Sequence, residues 1–189
     1  MVSRLLAAAE LVLQQLDGIA FGRGPGAFTG VRIAAGVAQG LAFAADLPVA
    51  PISTLQALAQ GAARARRASA ALTALDARMG EVYWGAYRID VRQQMTAVVK
   101  DCLSIADRVP VPEGGDWLGI GSGWETHGRA LSERVGELLR DCDAKRFPEA
   151  QDVAMLAADP IAAGDGVPAA QAFPLYLRNR VADEPANRQ

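Results

Sequence analysis

The 189 residues suit one domain or two small lobes sharing a core. Apolar residues make up 51% and charged residues 21%, and the net charge of −2 excludes the overall basic excess of a protein that grips nucleic acid unaided. The two cysteines, Cys102 and Cys142, are isolated. They exclude a zinc ribbon and a CxxC redox motif and read as reduced thiols of a cytosolic protein.

Residues 3–16, SRLLAAAELVLQQL, place Leu5, Leu6, Ala9, Val12, Leu13 and Leu16 at helical spacing. Arg4, Glu10 and two glutamines interrupt the run, which makes it an amphipathic helix and not a signal sequence. Asp17-Gly18 ends it. IAFG at 19–22 is a short β-prone stretch, and a glycine loop follows. FTGVRIAAGVAQGLAFAADL then reads as a helix that is small and apolar on nearly every side. No apolar run approaches the ~18 residues of a membrane span. Pro48 stops this helix, PVAPI at 48–52 reads as a buried strand, and Ser53 or Thr54 caps the helix TLQALAQGAARAR. Helix, strand, helix, strand, helix predicts a partly parallel α/β layer. The basic cluster Arg64, Arg66 and Arg67 reads as a solvated helix C-terminus, with RNA contact as the alternative. A lobe boundary falls at about residue 68, dividing the chain into 1–68 and 69–189.

Beyond it, ALTALDA, a tight RMGE turn and VYWGAYRI make a β-hairpin, and MTAVVKDCLS adds a third strand. Residues 104–109 form a short helix, 110–115 a Pro/Gly loop, and WLGIGSG a strand leading into a glycine turn. Helices are expected at 123–135 and 151–159, and the polar tail frays after Val181.

The loop GRGPGAFTG carries three competing readings. A P-loop needs GK[ST] for phosphate and magnesium, and Thr29-Gly30-Val31-Arg32 supplies no lysine. A dinucleotide fingerprint fits Gly22, Gly24 and Ala27 literally. It lacks the acid at the end of the next strand, because Asp46 precedes that strand, and Pro25 removes a backbone donor from the cradle. The third reading is structural: Gly22, Gly24, Pro25 and Gly26 turn the chain sharply, Phe28 seats the loop in the core, and Thr29 caps the helix. Inside that helix Gly30, Gly36 and Gly40 cost helix stability. This predicts close backbone approach, by a partner helix or by a neighbour within the same chain.

Candidate chemistry is sparse. His127 is the only histidine and reads as a lone surface residue; it cannot form a metal-binding pair, and this one histidine would have to serve any triad built on Ser53 or Ser122. Asp76 and Glu81 flank the hairpin turn, where turn chemistry accounts for them.

GRGPGAFTGVRIAAGVAQGLAFAADLPVAPISTLQALAQ at 22–60, LDARMGEVYWGAYR at 75–88 and PLYLRNRV at 174–181 together resemble the bacterial TsaB (YeaZ) family, in order along nearly the whole chain. The resemblance implies an actin/Hsp70/sugar-kinase-like (ASKHA) α/β fold in two lobes. It also implies a cytoplasmic, non-catalytic scaffold subunit in the synthesis of N6-threonylcarbamoyladenosine at position 37 of tRNA. In that family the pairing partner is the catalytic subunit TsaD. An ATPase, TsaE, joins the larger complex, tRNA is engaged indirectly, and no membrane is involved. The pairing surface comes from two helices of the first lobe, which places one ridge here on Leu5, Leu6, Ala9, Val12 and Leu13. The other falls on Ile33, Ala34, Val37, Ala38 and Leu41. The same surface implies a homodimer when the chain is alone. Gly22, Gly24, Pro25, Gly26, Phe28, Thr29 and Gly30 become a rigid structural loop launching the second helix. No cofactor, metal or catalytic residue is expected. The family has carried a glycoprotease or M22 peptidase label, but its catalytic relative binds metal through a His-x-x-x-His helix that a single histidine cannot provide.

Chains of this family begin with a β-hairpin that this sequence lacks, so the first-lobe sheet is expected to be truncated and short of neighbours. Lower stability, an exchanged or oligomeric arrangement, or dependence on a partner would follow, and part of the fold's phosphate site would go with the hairpin. The rival reading is an enzyme that uses a nucleotide or phosphate in the cleft between the lobes.

Overall fold

The computed structural model describes residues 2–178. Its first sheet is a parallel pair, β1 (Ile19–Gly24) and β2 (Val49–Ser53), connected by α2 (Phe28–Ala45). The second sheet has five strands in the order β5-β4-β3-β6-β7. β3 (Ala70–Asp76), β4 (Glu81–Ile89) and β5 (Met95–Ile105) form an antiparallel meander, and β6 (Trp117–Ile120) and β7 (Leu139–Asp143) run parallel to β3. α1 (Val2–Ala8) precedes the first sheet, α3 (Thr54–Arg66) links the two sheets, α4 (Ser122–Val135) follows β6, and α5 (Ala150–Ala162) follows β7.

The sequence AALTAL lacks polar alternation because β3 is covered on both faces, as central strands of such layers are. Ala70, Leu72 and Ala74 pack with Trp84, Trp117, Trp124 and Leu131 on the α4 side. Ala71, on the opposite face, packs with Leu55, Leu58 and Ala62 of α3. The buried Thr73 hydroxyl donates to the Gly85 carbonyl at 3.0 Å, so its burial leaves no polar group unpaired. α5 returns to the first sheet, where Val153, Leu156 and Ala157 meet Ala50 and Ile52. α3 and α5 therefore bridge the boundary placed at about residue 68. They are clamped together by Arg64, which donates to both carboxylate oxygens of the fully buried Asp152 at 2.8 and 2.9 Å.

Several elements depart from the expectations. The helix expected over 3–16 ends at Ala8: Glu10 adopts a left-handed φ of 56°, and the Leu11 amide turns back to the Leu6 carbonyl at 2.9 Å. None of its residues is buried, so no packing extends it past what local propensity supports. Leu13–Gln15 is a separate 3₁₀ turn, and the ridge Leu5, Leu6, Ala9, Val12 and Leu13 does not form as one helical face. Strand β7 had no sequence signal, because LRDCD is polar and lies at a sheet edge. The helix expected at 151–159 extends over Ala150–Ala162, and residues 106–108 form a 3₁₀ turn. The fraying expected after Val181 lies outside the described residues.

Candidate functional site

α2 divides cleanly into faces. Val31, Ala35, Ala38 and Ala42 are buried, and three of them join Phe21, Val49 and Ala172 in the first-lobe core. This corrects the placing of Ala38 on a pairing ridge, since its side chain is only 3% exposed. Ala34 and Leu41 lie partly buried at the flank. On the opposite side Ile33 is 61% and Val37 52% exposed, and Thr29, Gly36, Gly40 and Ala44 are open beside them. No atom of the described residues outside the helix itself comes within 4 Å of a side chain built at Gly36 or Gly40. The helix is also long and apolar enough to cross a bilayer by length and composition, with a mean hydropathy of 1.3 over 18 residues. This corrects the expectation that no run approaches that length. Apolar residues on both the core side and the outer side account for that hydropathy.

The loop before α2 is ordered by neighbours rather than by helix capping. The N-cap residue is Ala27, without a side-chain cap bond, so the capping role expected of Thr29 does not hold. Phe28 does not seat in the core: it is 53% exposed, its ring centroid lies 5.8 Å from that of Tyr176, and the Arg32 guanidinium stands 3.6 Å over it. Gly24 and Pro25 are buried, with Gly22 and Gly26 partly so. Gly24, at φ 108°, has its missing side chain's place taken by the Leu175 carbonyl, 2.8 Å from a Cβ there. The loop gives its space to the protein's own C-terminal segment.

Between the sheets stands a polar cluster. Ser53 Oγ accepts from the Leu55 and Gln56 amides at 3.1 and 3.2 Å, fixing it as the cap of α3, and its hydroxyl donates to Asp101 at 2.5 Å. The Tyr87 hydroxyl donates to the other Asp101 oxygen. Burial, followed by the Asp101 charge, pushes the Tyr87 phenol far above its ordinary value. Among the described residues Arg23 Nε is buried without a hydrogen-bond partner.

His127 is not a surface residue. Its side chain is 18% exposed, and Nε2 lies 3.5 Å from Asp76 Oδ1 without forming a hydrogen bond. Ser122 Oγ accepts from the Asp76 amide at 3.3 Å, so these groups are neighbours without a Ser-to-His Nε2 relay. Asp76 accepts from the Arg78 amide as turn chemistry predicts, whereas Glu81 pairs with Arg178 at 2.6 Å. The basic cluster is largely consumed within the fold: Arg64 binds Asp152 and Glu149, and Arg66 binds Asp141 and Asp143. Burial pushes both thiols, Cys102 and Cys142, up. Among the described residues no three His, Cys, Asp or Glu side chains are grouped as a metal site. A surface hollow of about 460 Å³ lies beside Ser69, Arg88 and Glu113. A groove of about 300 Å³ runs between Leu16–Ala20 and α5, and the glycine loop lines neither.

A five-stranded sheet in the order above, preceded by a parallel pair and its helices, places the chain in the ASKHA class. The model of the family described as TsaD, tRNA N6-adenosine threonylcarbamoyltransferase, matches residues 1–185. The tRNA threonylcarbamoyladenosine biosynthesis protein TsaB of Escherichia coli K12 is 41% identical over 96% of this chain and 79% of its own. The TsaB protein of Haemophilus influenzae is 39% identical over 96% and 78%. YeaZ from Pseudomonas aeruginosa superposes with a TM-score of 0.86 at 46% identity, over 94% of this chain and 82% of the other; a second structure of similar fit describes its protein as similar to peptidase YeaZ. The chain belongs to the TsaB (YeaZ) family, within the wider group that the TsaD model describes.

Proposed function

We propose that the protein is a cytoplasmic, non-catalytic subunit of the machinery that makes tRNA N6-threonylcarbamoyladenosine, and that it pairs with the catalytic TsaD subunit through the outer face of α2. TsaE joins the assembled complex, tRNA is reached through the partner, and the same face supports a homodimer when the chain is alone. One observation carries the reading. Gly36 and Gly40 sit in mid-helix, where each costs roughly up to 1 kcal/mol against alanine, yet among the described residues nothing approaches either. Among the described residues no neighbour, the competing explanation for these glycines, stands close enough to use them. Beside them stand the exposed Ile33 and Val37, an apolar ridge bordered by backbone that another helix can approach closely.

Titration calorimetry of the chain against purified TsaD from the same organism tests this reading. Val37→Glu puts an unpaired charge into the proposed contact and leaves the lobe core untouched, because Val37 is half exposed. The expected result is affinity at least about a hundredfold weaker, on the order of 2.7 kcal/mol. Unchanged affinity in both Val37→Glu and Ile33→Glu removes this face from the interface.

A further inference from the structure

We propose that residues 172–178 form a latch that joins the two lobes and couples the β3–β4 turn to the start of α2. The segment is anchored first on the lobe of β1 and α2. Ala172 is fully buried among Phe21, Ala35, Ala38 and Val49, and Gln39 donates to its carbonyl at 3.3 Å. The Leu175 amide donates to the Arg23 carbonyl at 2.7 Å, and the Leu175 carbonyl fills the space left open by Gly24. The Tyr176 hydroxyl accepts from Arg32 Nε at 2.8 Å, and its ring packs near Phe28.

Two residues later the anchor is on the other lobe. Arg178 Nη2 reaches Glu81 Oε2 at 2.6 Å and donates to the Ala77 carbonyl at 3.0 Å, while Nη1 lies 3.6 Å from Met79 Sδ. Arg178 and Glu81 are 20% and 26% exposed, so water and salt screen the pair less than a surface pair. The backbone between Tyr176 and Arg178 spans at most about 7 Å. The lobes therefore cannot separate by much more than side-chain slack without releasing either the Tyr176–Arg32 contact or the Arg178–Glu81 pair. The β3–β4 turn and the loop that launches α2 are held by one short tether. Coupling of this kind is reciprocal, so release at either end loosens the other.

Residue-resolved hydrogen exchange of the whole chain tests the latch. Arg178→Ala is expected to speed exchange of the Leu175 amide and of the Val31 amide, which is bonded to Ala27, by at least about threefold. Tyr176→Ala, at a side chain 41% exposed, is expected to do the same at Ala77 and Glu81, whose amides close the hairpin turn. The Leu72 amide in the second-lobe core is the internal reference and is expected to hold its rate in both variants. Changes confined to the lobe that carries the substitution overturn the latch. Acceleration that includes Leu72 equally also overturns it, because that reports global destabilisation instead of release of a tether.

Discussion

The two lobes solve the burial problem differently. The five-stranded sheet is enclosed: β3 is covered by α4 on one face and by α3 on the other, and Trp84, Trp117 and Trp124 are each at most 3% exposed. The lobe of β1 and β2 has two strands among the described residues, a first helix with no buried residue, and α2 with Ile33, Val37 and Phe43 in the open. Sheets of two strands are marginal unless something packs on them, and α2 and α5 do so here. The difference teaches that one lobe supplies the fold's stability, and the other supplies surface.

The contrast is broken most directly in the closed lobe. Trp117→Ala opens a cavity beneath α4 and is expected to cost about 3–5 kcal/mol in denaturant unfolding. Ile33→Ala on the open lobe is expected to stay within about 0.5 kcal/mol, since Ile33 has little packing within this chain to lose. Equal costs at the two sites would erase the distinction.

At the junction the expected effects are smaller. Ser53→Ala removes the cap of α3 and one of the two hydroxyl donors to Asp101, for about 1–2 kcal/mol. Tyr87 adds a pH signature. Its phenol is held neutral by burial and by Asp101, so its folded pKa lies above the ordinary value of 10.0. A raised pKa means the native state keeps a proton that the unfolded chain loses. Its contribution is full below pH 10 and falls as pH rises beyond. Unfolding curves above pH 10 are expected to decline less steeply for Tyr87→Phe than for the parent chain.

Local chemistry made most of this fold legible. The order from β1 to β6, the Ser53 cap and the hairpin turn follow from apolar runs and turn residues that act within a few positions of one another. What escaped depends on distance along the chain. Arg178 meets Glu81, and Tyr176 meets Phe28, across long stretches of the sequence, so no window contains the partners. Those contacts explain Glu81 better than its turn does, and they explain why Phe28 is drawn to the surface stack instead of the core. The spacing over 3–16 predicts more helix than α1 holds for a related reason: periodicity records which residues can share a face, not whether anything waits to cover it. The faces of α2 were half legible. Its all-round small apolar character was plain, but only the packing of Ala35, Ala38 and Ala42 on Phe21 and Val49 shows which side is spoken for.

The finest test separates what α2 does for its own lobe from what it does for a partner. Gly36→Ala and Gly40→Ala each add one methyl group into open space on a well-formed helix. In the isolated chain each is expected to stabilise by about 0.4–1 kcal/mol, because alanine restricts the unfolded backbone and favours the helix. If another helix packs against this face at backbone distance, the same methyl group falls where that helix must lie. Folding and binding then move in opposite directions: the double variant melts later and pairs more weakly with TsaD. Stability and affinity rising together would mean that the glycines leave no room that a partner uses, and that Ile33 and Val37 make contact without close backbone approach.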